Sequence, residues 1–124
     1  MQKQYISNLL ERNPSAVIIG SLGTISYDLA EISHKNKIII KGAMGCALGC
    51  GLGYALSSKK KVFVLIGDGA FLMKMGSISS ILRYKPRNLK VIIFNNNSYA
   101  SCGGQKTNFR YLRNNPTMVK VINL

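Results

Sequence analysis

Acids are scarce in this chain. Seventeen Lys and Arg face four acidic residues, Glu11, Asp28, Glu31 and Asp68, for a net charge of +13. There is one histidine, His34, and no tryptophan. A chain this poor in carboxylates and imidazole has little general acid–base capacity of its own. An enzyme built on it would take part of its catalytic equipment from elsewhere. The three cysteines, Cys46, Cys50 and Cys102, have no C-x-x-C spacing, which argues against a zinc ribbon or a disulfide framework. An odd count with no signal-peptide pattern points to a reducing cytoplasm. The longest uncharged stretch, Gly42 to Ser58, falls just short of a spanning helix, so no membrane segment is expected.

The basic residues are scattered, and Lys59-Lys60-Lys61 is their longest run. No RNP-like aromatic pattern accompanies them, so nucleic-acid binding has no motif behind it. A merely Asn/Lys/Ile-rich composition explains the charge, and two functional readings stand beside it, polyanion binding and docking on an acidic partner.

What the chain does have is apolar, β-branched runs ending in polar turns. At 47% hydrophobic and 124 residues, it reads as one globular domain spanning 1–124. Val62 to Ile66 runs into Gly67-Asp68-Gly69-Ala70, and Val91 to Phe94 runs into Asn95-Asn96-Asn97-Ser98-Tyr99. Both runs look like buried parallel strands. Phe71 to Tyr84 has room for one helix between them, with Phe71, Leu72, Met75, Ile78, Ile81 and Leu82 on one apolar face. Met73 and Met75 are therefore expected to pack, not to do chemistry. A right-handed βαβ crossover brings the ends of both strands to one sheet edge. Asp68 and the asparagine cluster then face one crevice. A carboxylate, an amide oxygen and a glycine turn gathered there make a seat for a divalent cation and a phosphate.

Upstream, Gln2 to Arg12 has helical spacing and is stopped by Asn13-Pro14. Ala16 to Ile19 reads as a strand, and Gly20 to Thr24 as a turn. A helix marked by Ile25, Leu29 and Ile32 follows, with Thr24 or Ser26 as its expected N-cap. That turn could hold an anion on its N–H groups, or be an ordinary βα loop. Lys37 to Lys41 gives a short strand. Gly45, Gly49 and Gly53 then recur every four residues, predicting a glycine-faced helix pressed on the sheet or on another chain. His34 sits in a polar stretch and reads as solvated. The tail from Asn108 contains Pro116 and an apolar run, Met118 to Ile122. The fold class is α/β: a three-layer parallel sheet of at least four strands, with helices on both faces.

Two nucleotide motifs are missing. The run Gly49-Cys50-Gly51-Leu52-Gly53 has the wrong spacing for G-x-G-x-x-G, and Gln105 separates Gly104 from Lys106 where a Walker A motif needs them joined. Instead, Gly67-Asp68-Gly69 followed one βαβ unit later by Asn95-Asn96 resembles the thiamine-diphosphate signature of 2-oxo acid decarboxylases. Gly42-Ala43-Met44-Gly45 stands where those enzymes carry G-S-hydrophobe-G. More narrowly, Asn96 to Thr107 resembles the N-G-x-x-x-S-T-G-G-Q-x-T stretch of phosphonopyruvate decarboxylases and sulfopyruvate decarboxylase β subunits. Cys46 departs from their usual histidine, and Tyr27 stands where arginine is common.

The resemblance implies a role for each position. Asp68, Asn96 and the Ser98 carbonyl would ligate Mg²⁺. Gly67, Gly69, Ala70 and Thr24 would meet the diphosphate. Met44 would be the wedge that bends the cofactor, and the Gly42 carbonyl would hold its aminopyrimidine. Cofactors are thus thiamine diphosphate and Mg²⁺, and the substrate a small 3-phosphono- or 3-sulfo-2-oxo acid. The family's activating glutamate lies on a pyrimidine-binding domain that is not found here. The chain is therefore expected to need a pyrimidine-domain subunit, docked across Gly42 to Leu56, and to form further oligomers. Its tail stops short of the family's last strands, so C-terminal truncation is expected. The rival readings are an inactive fragment of such an enzyme and a basic α/β polyanion-binding module.

Overall fold

The computed structural model describes residues 1–111 and 119–124; Pro116 and Met118 lie outside them. Five strands form one all-parallel sheet: β1 (Val17–Gly20), β2 (Lys37–Ile39), β3 (Val62–Gly67), β4 (Leu89–Asn95) and β5 (Val119–Asn123). Their spatial order is β2-β1-β3-β4-β5. The chain steps outward from β1 to β2, then crosses back to lay β3 on the other side of β1. The sheet's winding therefore reverses between β1 and β3, which opens a crevice at the carboxyl ends of those two strands.

Strand side chains alternate between two cores, as the pleat requires. Val17, Ile19, Val62, Val64, Ile66, Val91 and Ile93 point to one face, where α3 (Ala47–Ser57), α4 (Asp68–Met73) and α5 (Ser77–Tyr84) cover them. Ile18, Phe63, Leu65, Ile92 and Phe94 point to the other, beneath α1 (Gln2–Arg12) and α2 (Thr24–Glu31). Both faces are buried, and the strands read as unbroken apolar runs for that reason. The three-layer α/β expectation holds, with one strand more than its minimum.

Local chemistry fixes the joints. The Lys37 ammonium donates to the carbonyls of Leu29 and Ile32, putting a cation on the C-terminal end of α2. The Asn88 amide donates to the carbonyls of Ala55, Ser58 and Lys60, pinning the end of α3 and the entry to β3 against the entry to β4. Lys3 on α1 pairs with Glu31 on α2. The hydrogen bond and charge of Lys3 hold the Glu31 carboxyl below its ordinary range, and the same contact holds Lys3 above its own. The pair is exposed and adds little stability.

Five expectations change. The single helix over Phe71 to Tyr84 is two, α4 and α5, broken at Lys74 to Gly76, where Lys74 leaves helical geometry. Met73, Met75 and Leu82 are consequently exposed, not packed. The N-cap of α2 is Gly23 at φ 86°, not Thr24 or Ser26. Ser26 Oγ instead donates back to the Gly23 carbonyl at 2.6 Å. His34 is not merely solvated: its Nε2 lies 3.1 Å from the Asn13 carbonyl and its Nδ1 accepts from the Asn36 N–H.

The fifth concerns the glycine repeat. Gly45 precedes α3 in a turn at φ +86°, where a Cβ would sit 2.7 Å from the Ala70 carbonyl. Gly49 and Gly53 face open space. The glycine pressed on the sheet is Gly51, whose Cβ would meet Val64 Cγ2 at 2.2 Å. Gly49 and Gly53 thus mark the outward face of the helix, and Gly51, outside the repeat, marks the inward one.

Candidate functional site

Three loops meet at the carboxyl edge of the sheet, where the winding reverses. The first leaves β1 through the buried Ser21, whose N–H donates to the Leu65 carbonyl of β3 at 2.8 Å. The second is the abrupt change from β3 to α4 at Gly67 and Asp68. The third follows β4 and folds back on itself. In it Ser98 bridges Lys106 in antiparallel fashion, and the Tyr99 N–H donates to the Gln105 carbonyl at 2.8 Å.

Asparagine side chains build that third loop. Asn95 Oδ1 accepts from the Asn97 N–H, and Asn96 Oδ1 accepts from the Ser98 N–H at 3.0 Å. These are Asx turns, which is why Asn and not an apolar residue ends the strand. Asn97 takes the left-handed conformation at φ 56°, which Asn tolerates better than most residues. The loop then reaches across the crevice. A Cβ on Gly69 would lie 2.6 Å from the Tyr99 ring and 3.5 Å from Met44 Cε. A Cβ on Gly23 would lie 3.2 Å from Ser101 Oγ. Tyr99 and Ser101 therefore stand over the second and first loops respectively.

The crevice so formed has a cavity volume of about 90 Å³, less than the ~300–1,000 Å³ of a closed small-molecule pocket, so in this chain alone it is an open half-site. Of the expected site residues, Thr24, Met44, Gly67, Asp68, Gly69, Ala70, Asn96 and Ser98 all line it. Gly42 does not; it lies just outside, exposed, in a turn at φ +73°. Residues to which the sequence assigned no role also line the crevice, among them Gln2, Tyr99, Ser101 and Cys102. The Gln2 amide donates to Asp28 Oδ2 at 2.7 Å and to Thr24 Oγ1 at 3.1 Å, so α1 braces the first loop. No local pattern announces that contact, which spans 22 positions.

Asp68 is the one acid in the lining, and it is 2% exposed. Its Oδ2 accepts a hydrogen bond from the hydroxyl of Thr107, itself buried. Among the described residues no group of three His, Cys, Asp or Glu could hold a metal ion. One carboxylate, one amide oxygen and loop carbonyls form a hard but sparse donor set. Such a set suits Mg²⁺ when a phosphate group supplies further oxygens, and suits poorly a metal held by protein alone. The donor chemistry therefore fits a magnesium–diphosphate group.

Comparison with known proteins agrees. The model of the family described as thiamine pyrophosphate enzyme, C-terminal TPP binding domain, matches residues 19–122. The chain is 36% identical over 106 residues to sulfopyruvate decarboxylase subunit beta of Methanocaldococcus jannaschii, covering 85% of this chain and 55% of that one. It is 36% identical over 100 residues to phosphonopyruvate decarboxylase of Streptomyces hygroscopicus, covering 80% and 25%. Sulfopyruvate decarboxylase of Methanosarcina acetivorans is 41% identical over 108 residues, covering 86% and 28%. The chain thus spans about half the length of the β subunit and about a quarter of the two longer relatives. With the family match extending over most of its residues, the chain belongs to the thiamine pyrophosphate enzymes, in their C-terminal TPP-binding domain.

Proposed function

We propose that this chain is the diphosphate-binding part of a decarboxylase acting on a 3-sulfo- or 3-phosphono-2-oxo acid. The observation that carries the reading is the donor set at the switch point. Asp68, Asn96 and Ser98 line one crevice with the Gly67–Ala70 turn, in a chain similar to sulfopyruvate and phosphonopyruvate decarboxylases. Asp68, the Asn96 amide oxygen and the Ser98 carbonyl would hold Mg²⁺, whose preference for hard oxygen ligands the diphosphate would also meet. The N–H groups of Gly69 and Ala70, with the Thr24 hydroxyl, receive the diphosphate. Because α4 is only six residues long, those N–H groups matter more than any helix dipole. Met44, beside Gly69, would shape the bound cofactor, and the Gly42 carbonyl, on a turn outside the crevice of this chain, would hold its aminopyrimidine. When bound, thiamine diphosphate supplies an electron sink for the charge left as CO₂ departs from a 2-oxo acid.

The chain lacks one catalytic group. No glutamate lines the crevice: Glu31 is engaged by Lys3 on the α1–α2 side, and Glu11 lies on α1. The group that activates the aminopyrimidine comes from a pyrimidine-binding subunit, which rests on the outward face of α3. That face, from Cys46 through Gly49 and Gly53 to Leu56, is exposed and carries no charge. The three free cysteines fit a reducing cytoplasm.

Calorimetric titration of thiamine diphosphate with Mg²⁺, with and without the pyrimidine-domain subunit, tests the reading. Binding in the assembled protein that is abolished by Asp68→Ala is the expected result. Binding indifferent to Asp68, or no binding at all, sinks it.

A further inference from the structure

The buried hydroxyl of Thr107 has no part in the reading above. Thr107 lies 39 positions after Asp68, at the far end of the loop that follows β4. Most of that loop is solvent-facing: Ser101 to Lys106 are exposed. Thr107 is the point where the chain dives back, at 4% exposure, followed by Phe109, whose ring packs edge-on against Phe71 of α4.

Thr107 makes two bonds that converge on the donor set from opposite sides. Its N–H donates to the Asn97 carbonyl at 3.0 Å, and Asn97 stands between Asn96 and Ser98. Its hydroxyl donates to Asp68 Oδ2. One residue thus joins the β3–α4 turn, which carries the carboxylate, to the loop that carries the amide and the carbonyl. It adds a hydrogen-bonded tie between donors that sit on two separate loops.

We propose that Thr107 is a positioning residue for the metal. It holds Asp68 in one rotamer by engaging Oδ2, so that Oδ1 faces the crevice, and it sets the distance between Asp68 and the Asn96–Ser98 segment. This rests on the assignment of Asp68, Asn96 and Ser98 as metal ligands. Partners that orient a ligating carboxylate in this way contribute about 10–100-fold to metal affinity. A hydroxyl suits the task because it donates one hydrogen bond and brings no charge, leaving the carboxylate's charge for the cation.

The experiment compares wild type, Thr107→Val and Thr107→Ser in the native assembly. Mg²⁺ is titrated at saturating thiamine diphosphate and followed by calorimetry, with thermal unfolding recorded without ligand. Thr107→Val keeps the shape and loses the donor, so the half-saturating Mg²⁺ concentration should rise about 10–100-fold. Thr107→Ser keeps the donor and should return binding to near the wild-type level. A purely structural role would lower the unfolding temperature of Thr107→Val and leave its Mg²⁺ dependence at the wild-type value; that result overturns the proposal. If Thr107→Val does not fold, amide exchange in the wild-type protein decides. Mg²⁺ with thiamine diphosphate should slow exchange at Tyr99 and Thr107, and unchanged exchange counts against the coupling. Failure of the wild type to bind Mg²⁺ and thiamine diphosphate strikes the ligand assignment itself.

Discussion

At the scale of single residues, this molecule depends on side-chain amides and hydroxyls more than on charges. Asn95 and Asn96 shape the loop after β4 through their own backbone. Asn88 does comparable work at the opposite edge of the sheet, where one amide serves three carbonyls from two segments. Removing it leaves those carbonyls to half-buried surroundings. Asn88→Ala should cost about 1–3 kcal/mol in urea unfolding, with an unchanged denaturant slope. The asparagines after β4 were legible in the sequence, because a polar cluster closing an apolar run marks a strand end. The reach of Asn88 was not legible in that way. Its three acceptors lie 28 to 33 positions away, and no local pattern records them. The contacts of Gln2 and Thr107 go unrecorded for the same reason.

At the scale of elements, α3 carries most information. Its inward face is set by Gly51 against Val64, and its outward face by Gly49 and Gly53 over open space. These positions should answer alanine differently. Gly51→Ala forces a methyl into Val64 and should destabilise the chain by about 1–3 kcal/mol, less a helix-propensity gain of up to about 1 kcal/mol. Gly49→Ala and Gly53→Ala meet nothing, and each should stabilise the unassembled chain by about 0.5–1 kcal/mol. If the pyrimidine-domain subunit docks on this face, the same two changes should weaken assembly, as read by sedimentation of the mixture. The expected single helix before β4 failed at this scale too. Its apolar spacing runs on through Met75, but the chain breaks at Lys74 to Gly76, and no strong stop residue other than Gly76 announces it.

At the scale of the whole molecule, the site exists because the sheet reverses its winding between β1 and β3. Three loops from three strands are needed, and each brings a different chemistry: a glycine turn, a carboxylate, an amide and carbonyl. A ligand that touches all three ties the sheet's carboxyl edge together. Mg²⁺ and thiamine diphosphate at 100 times their dissociation constant should therefore raise global stability by about 2.7 kcal/mol, as read by denaturant unfolding. Asp68→Ala should abolish that gain. Among the described residues no helix is long and apolar enough to cross a membrane.

By itself the sequence determined the parallel strands, the two turns that end β3 and β4, and the meeting of Asp68 and Asn96 at one crevice. Those features are written locally: apolar runs of β-branched residues are buried strands, and polar residues that interrupt them are loops. The tertiary structure decided which strands are neighbours, which face of α3 looks outward, and which hydroxyl orients Asp68. Those are contacts between positions far apart in the chain. The packing of two cores on opposite faces of one sheet selects them, and neither spacing nor composition carries that information.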